Sequence, residues 1–197
     1  EDANISQAEV PALRPAYTFL AVNVGGNLSN EVPFRIVEST VLPRIEEISP
    51  AEGPKGQYVT LRGSNFGGML GAVYFLGPNE TSTLADINFP KDCENEFWRG
   101  TRVIVKVPNV PDGTGNYRVV LKTSDGKDSN LVDFNVNAKS PTPGICAVRP
   151  DNGPQGSNVE IFGEYFKDFV QDKSKVRFWD NKINVSMPNQ LKEWKDN

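Results

Sequence analysis

Two cysteines, 25 acidic side chains and no histidine set the chemistry open to this chain of 197 residues. Histidine is the usual general base near neutral pH and the commonest metal ligand. Its absence excludes a Ser-His-Asp triad and an imidazole-ligated zinc site within these residues. Cys93 and Cys146 are far apart with no C-x-x-C spacing, so a zinc or redox motif is not supported. Two states fit that pair: one disulfide, or two buried thiols acting as small apolar side chains. The carboxylates form no motif of the kind that glycoside hydrolysis needs, and no nucleophile stands beside a base. The chain is therefore expected to be non-enzymatic, with no cofactor.

The remaining polar groups each have an ordinary explanation. The run DGKDSN at 125–130 and the pair Asp151 and Asn152 offer oxygens of the type calcium takes, yet Asn, Asp and Gly recur in turns because they tolerate left-handed backbone. No metal site is assigned. Trp98, Trp179 and Trp194 can stack on a sugar ring, but a Trp in a sheet usually packs between strands. Sequons at Asn4, Asn27, Asn79 and Asn184 would accept glycans on exposed loops of a secreted eukaryotic protein.

These groups must be positioned by a frame that the chain writes twice. Residues 43–67 read PRIEEISPAEGPKGQYVTLRGSNFG, and residues 143–167 read PGICAVRPDNGPQGSNVEIFGEYFK. Pro43/Pro143, Ile45/Ile145, Pro50/Pro150, Gly53/Gly153, Val59/Val159, Gly63/Gly163 and Phe66/Phe166 share an offset of 100 residues. A fixed self-similarity without gaps marks a repeat. A second echo runs the other way, because Tyr17, Asn30 and Phe34 precede Tyr117, Asn130 and Phe134 by the same 100 positions. Both of those segments alternate apolar and polar residues around a Gly/Asn/Asp turn, the pattern of a hairpin with one buried face.

Residues 41–137 thus form one complete unit, residues 1–40 the closing half of another and residues 138–197 the opening half of a third. Strands are expected at RIEEIS, YVTLRG, GAVYFLG, TSTLADINF and TRVIVKV, followed by the closing hairpin. Their spacing between glycines and prolines predicts antiparallel β-sandwiches, and no segment has a helical period. The linker at 138–143 is short and proline-rich, which stiffens it.

The repeated stretch resembles the IPT/TIG family, an immunoglobulin-like fold shared by plexins and some transcription factors. The resemblance rests on P-x-I-x-x-I-x-P-x-x-G-P-x-G-x-x-V-x-L-x-G-x-N-F-G at 43–67 and a looser copy at 143–166. It implies an all-β chain of tandem immunoglobulin-like sandwiches. The looser copy has Tyr165 where the pattern prefers Asn and Lys167 where it prefers Gly, so that turn is expected to be drawn differently. The family includes receptors, extracellular proteins, domains of carbohydrate-active enzymes and DNA-binding proteins. A net charge of −4 with no basic cluster argues against a nucleic-acid partner.

No apolar run approaches the roughly 18 residues of a membrane span, and EDANISQAEV at the start has neither the basic flank nor the apolar core of a signal peptide. The segment is read as extracellular or cell-surface, either a mature product or a piece of something longer. Half a sandwich exposes an apolar face and a row of unpaired backbone groups, and here the missing halves match. Head-to-tail completion by strand addition between copies is the first expectation, with Val10, Phe19, Val22, Phe34 and Ile36 on one side and Ile145, Val159, Ile161, Phe166, Val176 and Phe178 on the other. A heterologous contact of that kind that does not close makes a filament. A longer covalent array, in which each half is completed by its own chain, describes a similar stalk. The alternative from another class is a recognition ectodomain that binds surface glycans or other cell-surface proteins.

Overall fold

The computed structural model describes residues 16–37, 41–93, 96–170, 173, 174, 176 and 178. Val10, Asn4, Asn184, Trp179 and Trp194 lie outside the described residues. An N-terminal hairpin contains β1 (Ala16–Leu20), β2 (Asn23–Val24), β3 (Asn27–Leu28) and β4 (Val32–Ile36). A central sandwich follows, with β5 (Arg44–Ser49), β6 (Glu52–Gly53), β7 (Tyr58–Ser64), β8 (Ala72–Leu76), β9 (Ser82–Leu84), β10 (Trp98–Arg99), β11 (Arg102–Lys106), β12 (Gly115–Lys122) and β13 (Val132–Val136). A C-terminal hairpin is made by β14 (Gly144–Arg149) and β15 (Glu160–Glu164). The chain is all-β, as the alternation predicted; the one helical turn among the described residues is a short 3-10 turn at Lys91–Cys93.

The sandwich is two sheets in the orders β10-β11-β7-β5 and β6-β13-β12-β8-β9, antiparallel except where β13 meets β6. Period-2 alternation decides which side chains meet between them. From the first sheet Ile45, Val59, Leu61, Val103 and Val105 point inward, and from the second Val73, Phe75, Tyr117, Val119, Leu121, Phe134 and Val136. Phe75 and Phe134 stack edge to face at 5.4 Å, an arrangement the ring quadrupole favours. Trp98 is buried in this core and its indole donates to the Phe66 carbonyl at 3.4 Å, so it offers no face to a sugar.

One side chain ties the closing hairpin to the opening strand. Asn130 accepts the Ile45 N–H at Oδ1 (2.7 Å) and donates from Nδ2 to the Ile45 carbonyl (3.0 Å). Ile45 pairs with Gly63 just before an irregularity in the β5–β7 register, and because β5 is the edge of its sheet the side-chain amide takes the place of a further strand.

The second copy of the repeated stretch reproduces this local geometry. β14–β15 carries its register irregularity after Ile145, as β5–β7 does after Ile45. A Cβ on Gly63 would stand 1.9 Å from the Arg44 carbonyl oxygen, and one on Gly163 would stand 1.8 Å from that of Gly144. Glycine at both positions is a requirement of close backbone approach.

The turn after each hairpin corrects one expectation. Asn65 and Gly67 have φ of 61° and 76°, and Tyr165 and Lys167 have 65° and 58°. The turn is therefore drawn the same way twice, although left-handed backbone costs a residue with a Cβ about 1–2 kcal/mol. Tyr165 gains a contact in return, because its ring packs edge-on against Tyr58 at 6.4 Å.

Leu61 has no exposed surface, whereas its counterpart Ile161 is half-buried. Leu61→Ala is expected to destabilise the sandwich by about 3 kcal/mol in urea unfolding followed by Trp fluorescence, and Ile161→Ala by markedly less.

Candidate functional site

Two surfaces stand out: a closed junction on the outer face of the four-stranded sheet, and two open apolar edges. The junction is built from residues that point away from the sandwich core. Tyr58 on β7 and Ile104 and Lys106 on β11 face outward, and the loop after β9 lays Phe89, Cys93 and Phe97 beside them. Tyr58 and Phe89 have ring centroids 5.2 Å apart, and Phe89 and Phe97 are 5.1 Å apart. The C-terminal hairpin covers this patch with Cys146, Ala147 and Phe162. Cys93 and Cys146 form a disulfide with a Cα separation of 5.5 Å.

Polar groups lock the junction from both sides. The Tyr58 hydroxyl donates to Glu164 Oε2 at 2.6 Å, and burial together with this bond raises its pKa above the ordinary tyrosine range. Lys106 Nζ meets the same carboxylate oxygen at 3.1 Å, bonds the Asn88 carbonyl, and lies 5.6 Å and 5.4 Å from the ring centroids of Tyr58 and Phe89. A largely buried ammonium is tolerated because a carboxylate, a carbonyl and two ring faces replace its water. Arg149 pairs with Glu96 at 2.6 Å, donates to the Asp92 carbonyl at 2.5 Å and stacks over Phe162 at 4.7 Å. Gln57 accepts the Thr142 N–H at 2.9 Å, and Lys139 pairs with Glu52 at 2.7 Å, so the linker is held as well.

The repeat itself carried a signal for this junction that reading it only for similarity misses. Where the first copy has Arg44, Glu46, Glu47 and Arg62, the second has Gly144, Cys146, Ala147 and Phe162. All four first-copy residues are exposed. A Cβ on Gly144 would come within 2.3 Å of the Tyr58 ring, so only glycine lets the hairpin sit this close.

The open edges contain most of the residues expected to complete half-sandwiches. On the C-terminal hairpin Ile145 is 46 % exposed where Ile45 is 2 %. Val159, Ile161, Phe166 and Val176 are half-buried and Phe178 is exposed. On the N-terminal hairpin Phe34 is 38 % exposed where Phe134 is 1 %. Ile36 is buried and Val22 half-buried.

Phe19 does not join Phe34. Strand pairing sets Thr18 opposite Phe34 and Phe19 opposite Pro33, so Phe19 and Tyr17 lie on the other face, where the Arg35 guanidinium stacks 5.6 Å from the Tyr17 ring. The cause is one residue of turn length. Val22 N–H donates to Ser29 Oγ seven residues on, whereas Leu121 N–H donates to Ser129 Oγ eight residues on. The second arms match at an offset of 100, but the first arms match at 99, and Thr18 takes the place of Tyr117. A shift of one residue sends every side chain of the strand to the opposite face.

The other candidates named from the sequence fall in turns and loops, apart from Asn27, which opens β3. Asn27 and Asn79 are exposed. Asn79 donates to Asp112 Oδ1 at 3.0 Å and the Thr81 hydroxyl bonds the other oxygen. These bonds, the Thr81 one first, lower the Asp112 pKa. Asp125 is likewise lowered, by the Thr123 hydroxyl first and then Lys127, and Asn152 donates to Asp151 at 2.7 Å. Among the described residues no group of three or more His, Cys, Asp or Glu could hold a metal. The outer face of the five-stranded sheet has a shallow cleft of about 470 Å³ lined in part by Tyr74, Val120, Lys122, Asp128 and Ser129.

A two-sheet antiparallel sandwich with a second hairpin clamped on its outer face defines an immunoglobulin-like β protein. Residues 43–136 match the family model of the IPT/TIG domain, and the central sandwich is an IPT/TIG domain. The chain is also similar to cyclomaltodextrin glucanotransferases. It is 31% identical over 152 residues to that of Niallia circulans, covering 73% of this chain and 20% of that protein. It is 29% identical over 151 residues to that of Paenibacillus macerans, covering 76% and 18%. The chain thus spans about a fifth of the length of these curated relatives. The solved structure of Gamma-CGTASE from Alkalophilic bacillus clarkii matches with a TM-score of 0.38 and 25% identity, covering 56% of this chain and 14% of that one.

Two outcomes follow. In the chain-entropy account, a disulfide closing a loop of this length contributes about 4 kcal/mol. Reduction is therefore expected to lower the urea midpoint and to raise hydrogen exchange in 144–149 before the sandwich core opens. For Asp112 and Asp125 the folded pKa lies below the unfolded one, so their contribution is present above the unfolded carboxylate range and is lost as pH falls through the folded value. The melting temperature is expected to drop in that acid window, and Asp112→Asn to remove part of the drop.

Proposed function

We propose that this chain is a non-enzymatic, extracellular structural protein that builds a stalk or filament from tandem IPT/TIG units. Its unfinished units are completed head-to-tail by neighbouring copies, or by further units where the polypeptide is a longer array. The observation that carries this reading is the pairing of exposed with buried counterparts: Ile145 against Ile45 and Phe34 against Phe134. Side chains that fill a core in one place lie open at matching positions elsewhere, which supports reading the two hairpins as opening and closing halves of a sandwich. The junction supports the mechanical side of the proposal, because a disulfide and two ion pairs join the central sandwich to the hairpin that follows it. A stalk transmits orientation only if its units do not swivel.

A second reading has its own support. The relatives are named for a reaction on glucans, and the cleft beside Tyr74 combines an aromatic ring with charged and hydroxyl groups. In that reading the chain is a carbohydrate-binding module, and its open edges are covered by other parts of a longer protein.

Light scattering after size exclusion, over a wide concentration range, separates the two. Completion between copies predicts masses that grow with concentration and return to the monomer in Phe34→Asp. A chain that stays monomeric throughout removes that form of the proposal. Retardation in a gel containing soluble starch, abolished by Tyr74→Ala, would establish the second reading.

A further inference from the structure

The central sandwich contains a template for the contact that the open edges lack. Asn130 follows Ser129, whose hydroxyl accepts the Leu121 N–H at 2.9 Å and donates to the Asn130 carbonyl at 2.8 Å. So placed, Asn130 clamps the backbone N–H and carbonyl of Ile45. Two further bonds run from the strand beyond it, Asn135 N–H to the Ala51 carbonyl at 3.0 Å and Asn137 N–H to the Gly53 carbonyl at 3.1 Å.

Both halves of this contact recur, on separate edges. In the N-terminal hairpin Ser29 accepts the Val22 N–H at 2.9 Å and donates to the Asn30 carbonyl at 2.8 Å, so Asn30 is delivered as Asn130 is. Its side chain is exposed. In the C-terminal hairpin the register irregularity follows Ile145 as it follows Ile45, and the turn beyond is drawn the same way. Gly153 is exposed where Gly53 is buried and strand-paired.

Resting on the head-to-tail reading above, we infer that Asn30 of one copy clamps the backbone N–H and carbonyl of Ile145 in a second copy. The Arg35 and Val37 N–H groups of the first copy then bond to the Asp151 and Gly153 carbonyls of the second, adding β4 as a parallel edge. An amide side chain suits this task because it carries one acceptor and one donor side by side, matching a single residue's N–H and C=O. The clamp recognises the irregularity at Ile145 rather than its side chain. It sets register: with Asn30 on Ile145, Phe34 faces the apolar side of β14–β15, while Phe19 stays outside. Phe19 is thus excluded from the contact that simple repeat matching assigns to it.

The test uses the full 197-residue chain. Sedimentation equilibrium of the wild type, Asn30→Ala and Asn30→Asp gives the self-association constant, and hydrogen exchange gives the protection of the Ile145 amide. The expected result is association in the wild type, weakened about 10- to 100-fold in both variants, with Ile145 protected only in the associated wild type. The urea midpoint of the central sandwich is expected to be unchanged in both variants and lowered in Asn130→Ala, which removes the template clamp. A wild type that associates while Asn30→Ala associates equally well, with Ile145 still protected, overturns the clamp alone. A wild type that does not associate overturns the head-to-tail reading and the clamp with it.

Discussion

Two strands bonded to each other bury little until a second sheet covers them, and this constraint ranks the three parts of the chain. The central sandwich meets it fully, closing Leu61 and Val105 of one sheet against Phe75 and Leu121 of the other. The C-terminal hairpin meets it on one side only. Its outer side is covered by Tyr58, Ile104 and Cys93, while Ile145 on the other side stays in water. The N-terminal hairpin leaves Leu20, Val32 and Phe34 exposed. Burial thus ranks the three parts by how much of its apolar face each one covers.

The same constraint explains why the junction differs from the repeat it is built on. A surface strand tolerates Arg44, Glu46, Glu47 and Arg62 because those side chains stay solvated. A strand pressed on another sheet cannot keep such charges, and Gly144, Cys146, Ala147 and Phe162 replace them. The charges that remain, Lys106, Glu164 and Arg149, each have a partner. That arrangement gives direction as well as adhesion, since the Glu164 carboxylate takes both Tyr58 and Lys106 and fixes where β15 lies. The joint is specific to this pair of elements, and the positions matching it in the first copy do not repeat it.

Much of the fold was legible because it depends on local rules. Glycines at 63 and 163, prolines at 50 and 150 and the alternation in YVTLRG act through φ and through the two-residue period of a strand. A fixed offset then carried strand positions from one copy to the next. The offset failed at the N-terminal hairpin, where a turn one residue shorter moved Phe19 to the far face. The turn at 165–167 failed the other way: Tyr165 and Lys167 departed from the favoured residues, yet the backbone kept its left-handed path. Propensity is a weak term there, and contact with Tyr58 acts against it.

By itself the sequence determined an all-β chain and the run of strands that builds the central sandwich, since both follow from period and spacing. Only the tertiary structure decided that Cys93 faces Cys146, that Asn130 holds Ile45, and that the outward face of β7 is a joint rather than a wet surface. These are contacts between residues 53 to 106 positions apart. No local period encodes such pairings, because they depend on how whole sheets are laid against one another.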